Sequence, residues 1–217
     1  GNPMMDGMFK TNYPKEFETY RRLILLCGSR LPEAYQNFKK LLIAIQLIQI
    51  SSPLIVFVPL NSSSMSTEVE KILIELGFKA NVESIYGIGI SKIWKKKSLL
   101  ILIGFNQFSS WAYWGEVGVA NAGTATEQLV GLGVPCVSLP GEGPQFNFNF
   151  AKRQSRLLGG AVCIAKGYET LAKQVEFLLN SDFDRYSIGL RGSKRMGPTG
   201  GSNSLALIIS NYLSLGS

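Results

Sequence analysis

The sequence has no histidine. That absence removes the commonest general base, the Ser-His-Asp triad and most zinc sites. Cysteine is scarce, and Cys27, Cys136 and Cys163 each sit within an apolar run. An odd number of thiols in such settings argues against a disulfide framework and predicts reduced, buried cysteines in a cytoplasmic compartment. Charged residues make up only 17% of the chain. Acids are the scarcer sign, 15 against 22 Lys and Arg, which leaves a formal charge of +7. An excess of that kind suits an anionic ligand or an anionic membrane surface. The basic residues are scattered and not interleaved with aromatics along one element, so no nucleic-acid partner is expected. Their densest run, Lys95-Lys96-Lys97, reads as a solvated turn. Long apolar runs are missing too. The start, GNPMMDGMFK, has none, so no signal peptide is predicted. The most hydrophobic stretch, Leu41 to Ile50, contains Gln46 and Gln49 and falls well short of the roughly 20 residues a membrane-spanning helix needs.

What is present is a globular pattern: 46% of the 217 residues are apolar. Residues 1–20 are polar and irregular, with Pro3 and Pro14, and read as a lead-in segment; residues 21–217 read as one domain. Arg22 to Cys27, Leu54 to Val58 and Leu99 to Ile103 are continuous apolar runs, the signature of strands buried on both faces. Shorter strands are predicted at Glu116 to Asn121, Pro135 to Leu139 and 161–164. Between them the spacing predicts helices from Pro32 or Glu33 to about Gln49, over Thr67 to Leu76, near Gln107 to Trp114, and at about 124–132, 145–158 and Thr170 to Leu179. Residues 78–97 suit a short strand and one arm of a hairpin turning at the lysines. Gly192 to Gly201 reads as a loop, followed by a last helix from about Ser202 to Leu213. Leu205, Ile208, Ile209 and Leu213 share one face of that helix, and self-association is expected if that face is uncovered. Strands alternating with helices predict an α/β fold, a Rossmann-like parallel sheet with helices on both faces.

Such a sheet binds ligands beyond the carboxyl ends of its strands. Three loops leave strand ends there. Cys27-Gly28-Ser29-Arg30 combines a glycine, a following helix and a guanidinium suited to phosphate. Ala122-Gly123-Thr124-Ala125-Thr126-Glu127-Gln128 places small residues at a helix start, with Thr124 at the expected N-cap. Gly141-Glu142-Gly143-Pro144-Gln145 again leads from a strand into a helix. Each alone could be an ordinary cap or turn. Together on one sheet edge they predict adjacent walls of a phosphate- and sugar-binding cleft.

The succession AGTATEQ, LGVP, LPGEGPQ and Phe150-Ala151-Lys152-Arg153-Gln154 resembles the nucleotide-sugar donor half of GT-B glycosyltransferases. It is most similar to lipid-A-disaccharide synthase and its cyanobacterial and plant relatives. Gly1-Asn2-Pro3 resembles the segment joining the two halves of those enzymes. The resemblance implies a UDP-sugar donor, a UDP-GlcNAc derivative, and no other cofactor or metal. It implies Ser29 and Arg30 near the diphosphate, with Gly28 in their turn, and the backbone around Ile103 to Phe105 against uracil. Gly123, Thr124, Ala125 and Thr126 would hold phosphate at a helix N-terminus. A glutamate of this helix binds the ribose in the family; aligned on Gly133-Val134-Pro135, Gln128 takes that place and Glu127 precedes it, so both stay candidates. Gln145 and Asn147 would face the donor sugar. The resemblance further implies an acceptor half preceding Gly1 that carries the catalytic base, a lipid acceptor reached at the membrane surface, and no turnover by this chain alone. Two other readings stay open: a UDP-N-acetylglucosamine 2-epimerase-like domain and a non-catalytic nucleotide-sugar-binding module.

Overall fold

The structure, a computed structural model, describes residues 1–81, 89–141 and 146–214. Among these residues one eight-stranded sheet runs through the molecule. Its strands are β1 (Arg21–Leu26), β2 (Leu54–Leu60), β3 (Lys79–Asn81), β4 (Lys92–Lys96), β5 (Leu99–Phe105), β6 (Val117–Ala120), β7 (Cys136–Ser138) and β8 (Val162–Ile164), in the order β3-β4-β5-β2-β1-β6-β7-β8. The six strands from β5 to β8 are parallel, while β4 and β3 add an antiparallel edge. The β4–β5 hairpin turns at the lysines, as expected, with Lys97 in the left-handed region at φ 54°.

Alternation along the central strands divides the core into two layers. Leu23, Leu25, Val56 and Val58 face one side, against Phe38 and Leu41 of α1 (Glu33–Ile45), Val69 and Leu73 of α2 (Ser66–Glu75), and Val175 of α6 (Tyr168–Asn180). Ile24, Leu26, Ile55 and Phe57 face the other. There they meet Trp111 of α3 (Phe108–Trp111), Leu129 and Val130 of α4 (Thr124–Gly131), and Leu158 at the end of α5 (Phe148–Leu157). Phe17 of the lead-in segment joins this second layer, and Tyr13 packs edge-on against Trp114 and Phe57. Both faces of the sheet are therefore covered, and the apolar runs read as doubly buried strands are so.

Two readings are corrected. Residues 192–196, expected in a loop, belong to α7 (Asp182–Met196). Its start is signalled by Ser181, whose hydroxyl accepts the Asp184 N–H as an N-cap. Gly189 and Gly192, the latter read as the start of the loop, are there because side chains would collide with the Gly133 carbonyl and with Val130. Glycine thus lets α7 lie close against α4. Thr124 is also not the N-cap of α4; Gly123 is, and no side chain caps that end.

The last helix, α8 (Gly201–Ser214), is fixed at its start, where Asp6 accepts hydrogen bonds from the Gly200 and Ser202 N–H groups at 2.6 and 2.7 Å. Beyond that anchor it is exposed, and Leu205, Ile208, Ile209 and Leu213 all face solvent. No helix among the described residues is long and apolar enough to cross a membrane.

Candidate functional site

The strand order reverses at β1: the chain passes to β2 and β5 on one side and later returns to β6, β7 and β8 on the other. A parallel sheet has its natural crevice at such a point, beyond the carboxyl ends of the two diverging strands. A cavity of about 630 Å³ lies there, within the range of about 300–1,000 Å³ typical of small-molecule sites.

One wall is the loop after β1. Gly28 has φ +87°, and a Cβ at this position would lie 3.2 Å from the Asn121 carbonyl. Glycine therefore allows the first loop to touch the second. Ser29 and Arg30 stand exposed on this wall. Glu33, the first residue of α1, also lines it, and its Oε1 is buried without a hydrogen-bond partner among the described residues. Cys27 lies at the floor, where burial pushes its thiol up to about 12. It stays protonated at neutral pH and is no nucleophile.

The floor is braced by amides. Asn121, 2% exposed, follows β6; its Nδ2 donates to the Leu139 carbonyl at 2.7 Å and to Asn37 Oδ1 at 3.2 Å. Its Oδ1 accepts the Leu139 N–H at 3.1 Å. Asn37, one turn into α1, donates to the Cys27 carbonyl at 3.1 Å. The ends of β1, β6 and β7 and helix α1 are thus tied by two side chains.

The opposite wall is the start of α4. The N–H groups of Gly123, Thr124 and Ala125 have no hydrogen-bond partner among the described residues, and all three residues line the cavity. An α-helix leaves its first N–H groups unpaired, and they carry the positive end of the helix dipole. Small side chains leave these donors open to an anion. Thr126 belongs to the same turn but is fully buried, its hydroxyl donating to the Ala122 carbonyl at 2.7 Å.

The remaining sequence candidates are dispersed. Gln128 lines the cavity, its Nε2 donating to the Met4 carbonyl at 2.7 Å. Glu127, half-buried, is not on the wall. Ile103 is a core residue whose carbonyl accepts the Ser91 N–H at 2.8 Å, and Phe105 packs half-buried against the same core layer. Asn147 caps α5, its Oδ1 accepting the Phe150 N–H at 2.9 Å. Gln145, with Glu142, Gly143 and Pro144 of the second glycine turn, lies outside the described residues. Among the described residues, Phe146 and Phe150 also line the cavity. Asn37, Asn61, Phe108 and Glu33 also line the cavity and were not anticipated. Asn37 carried a signal, since it shares the buried face of α1 with Ala34, Phe38 and Leu41.

Among the described residues the lining has one cation, Arg30, one carboxylate, Glu33, and no pair of titratable groups suited to acid–base exchange. No cluster of metal-ligating side chains occurs among the described residues. The arrangement can hold an anionic group against backbone N–H donors and a guanidinium.

No family model and no curated protein sequence matches the chain. Solved structures do. A Listeria monocytogenes protein assigned as a UDP-N-acetylglucosamine 2-epimerase superposes with a TM-score of 0.62 at 12% identity, over 97% of this chain and 51% of that one. The complex of S. aureus MnaA with UDP gives 0.61 at 14% identity over 97% and 51%. The spinosyn rhamnosyltransferase SpnG gives 0.56 at 13% identity over 92% and 48%. The fold is that of a GT-B Rossmann-like domain. This chain spans about half the length of these structures.

Proposed function

We propose that the chain is the nucleotide-sugar donor domain of a UDP-sugar-dependent glycosyltransferase related to lipid-A-disaccharide synthase. One observation carries this reading: three unpaired N–H groups at the start of α4 share a cavity with Arg30, at the reversal point of a parallel sheet. Such a cradle suits a diphosphate. It would act on the reaction electrostatically, stabilising the departing UDP as charge builds on its phosphate oxygens. A UDP-GlcNAc derivative fits as donor. The sequence motifs favour the synthase relationship, and the acceptor, a lipid at a membrane surface, would be held by a second half of the enzyme.

That half would also supply the base, as the resemblance to the synthase implies, within about 2.6–3.2 Å of the acceptor hydroxyl. A 2-epimerase-like domain is the second reading, favoured by the resemblance to the Listeria monocytogenes protein assigned as a UDP-N-acetylglucosamine 2-epimerase. It shares the UDP site and differs in making no glycosidic bond.

Calorimetry with UDP, UMP and uridine tests the site. UDP should bind more tightly than UMP, and Arg30→Ala should weaken UDP by about 1.5–3 kcal/mol, the range of a charge-assisted hydrogen bond. Equal affinities for UMP and UDP would remove the diphosphate assignment. Incubating the chain with a UDP-sugar and a lipid acceptor should give no transfer; turnover by this chain alone would show that the base is misplaced.

A further inference from the structure

The buried stripe of α5 contains a polar residue. Ala151, Gln154 and Leu158 turn inward, and Gln154 is only 3% exposed. A leucine or methionine would fill that place without desolvating an amide. The Gln154 Nε2 donates to the Ala122 carbonyl at 3.3 Å and to the Gly123 carbonyl at 3.2 Å. Its Oε1 is buried with no hydrogen-bond partner among the described residues. Burying a glutamine costs desolvation of its amide, and its Nε2 donations are the use of that amide that the described residues show.

The effect of those donations follows from peptide geometry. In a planar trans peptide the C=O and N–H point in opposite directions. The Ala122 carbonyl is held inward by Gln154 and by the Thr126 hydroxyl, so the N–H of the same peptide, that of Gly123, is turned outward. The Gly123 carbonyl is held inward by Gln154 and by the Thr126 and Glu127 N–H groups at 3.0 and 3.3 Å, which turns the Thr124 N–H outward. Outward is the cavity, which Gly123 and Thr124 line. Gly123 has φ −84° and ψ −102°, and no side chain caps the helix. The first turn of α4 holds these carbonyls from one side only, through the Thr126 hydroxyl and the Thr126 and Glu127 N–H groups; Gln154 adds the one restraint from another helix among the described residues, and a flipped peptide would present a carbonyl to the anion.

We propose that Gln154 is a positioning residue for the anion cradle: its amide clamps the Ala122 and Gly123 carbonyls so that the Gly123 and Thr124 N–H groups face the diphosphate. The inference rests on reading the cavity as a diphosphate site. Gln154 does not touch the ligand, and its effect reaches the phosphates only through the backbone of the second loop.

The experiment combines calorimetry of UDP, uridine and inorganic pyrophosphate with hydrogen exchange of the free protein. Gln154→Met keeps the length and removes the amide; Thr126→Val removes the second clamp on the Ala122 carbonyl and provides an independent variant. Both should weaken UDP and pyrophosphate by the same factor, about tenfold or more, and leave uridine unchanged. Exchange of the Thr126 and Glu127 N–H groups in Gln154→Met should accelerate while that of β1 does not. Equal weakening of uridine, or unchanged exchange at Thr126 and Glu127, overturns the positioning role. UDP affinity equal to wild type in both variants also overturns it, whereas wild-type protein that binds neither UDP nor pyrophosphate overturns the diphosphate reading itself.

Discussion

Replacing Asn121 should separate what the amide floor contributes to folding from what its charge state allows. Asn121→Leu removes three hydrogen bonds and strands the N–H and carbonyl of Leu139, a residue 3% exposed. A buried polar group left without its partner costs about 1–3 kcal/mol, so the two together cost about 2–6 kcal/mol. For a domain of this size the midpoint falls by about 2–4 °C per kcal/mol, a drop of roughly 4–24 °C in thermal denaturation.

Asn121→Asp is the sharper variant. It keeps the shape and the acceptor for the Leu139 N–H but loses both donations. At neutral pH a carboxylate then faces the Leu139 carbonyl and Asn37 Oδ1, two acceptors. Both contacts and burial disfavour the ionised form and raise the carboxyl pKa in the folded state above the roughly 3.9 of the unfolded chain. The folded state then binds more protons, so the variant gains stability relative to wild type as pH falls through the raised value, and the gain is complete near the unfolded value. Protonated, the group can again donate to Leu139. Melting curves of wild type and both variants between about pH 4.5 and 8 read this directly. Asn121→Leu within about 1 °C of wild type, or an Asn121→Asp deficit that does not narrow in acid, would refute the reasoning.

Gly28→Ala should cost about 1–2 kcal/mol through its left-handed backbone and weaken UDP by pushing the first loop off the Asn121 carbonyl; unaltered UDP affinity would show that the contact between the loops does not shape the site. Gln128 stands on the cavity wall and Glu127 does not, so Gln128→Ala alone should close the affinity gap between UDP and its dideoxyribose analogue, and equal losses in both alanine variants would count against a ribose role for Gln128. Hydrogen bonds from Ser202, then Gly200, hold the Asp6 carboxyl down at about 2. Because the folded value is depressed, the anchoring of α8 is fully present above the ordinary carboxylate value and is lost as pH falls through about 2. Asp6→Asn should therefore speed hydrogen exchange in the first turn of α8 at neutral pH, where wild type is protected, and identical exchange would show that the carboxylate is not the anchor.

The fold was legible wherever burial is two-sided. Residues 23–26 of the first strand and the runs Leu54–Leu60 and Leu99–Phe105 are apolar almost throughout because helices cover both faces of the central strands; a strand with one wet face would alternate polar and apolar residues instead. Helix α7 was not legible. Gly189 and Gly192 serve a close approach to α4 that exists only in the tertiary structure, and locally they argue for irregular chain. The site divides along the same line. Gly28, Ser29, Arg30 and the Gly123 turn lie at strand ends, where local sequence is informative. Asn37, Asn121 and Leu139 come from three separate segments, and no spacing links them.

The misplaced cap shows the limit most clearly. Thr124 has the side chain of an N-cap, yet Gly123 occupies that position and the helix is left uncapped. A capping hydroxyl would take one of the first N–H groups for itself. An uncapped start keeps all of them available, and its carbonyls must then be restrained from elsewhere, here by Gln154 and Thr126. A helix built only for stability would use the threonine. One that gives up its cap and draws a buried glutamine from the next helix has the arrangement that the proposed anion cradle requires.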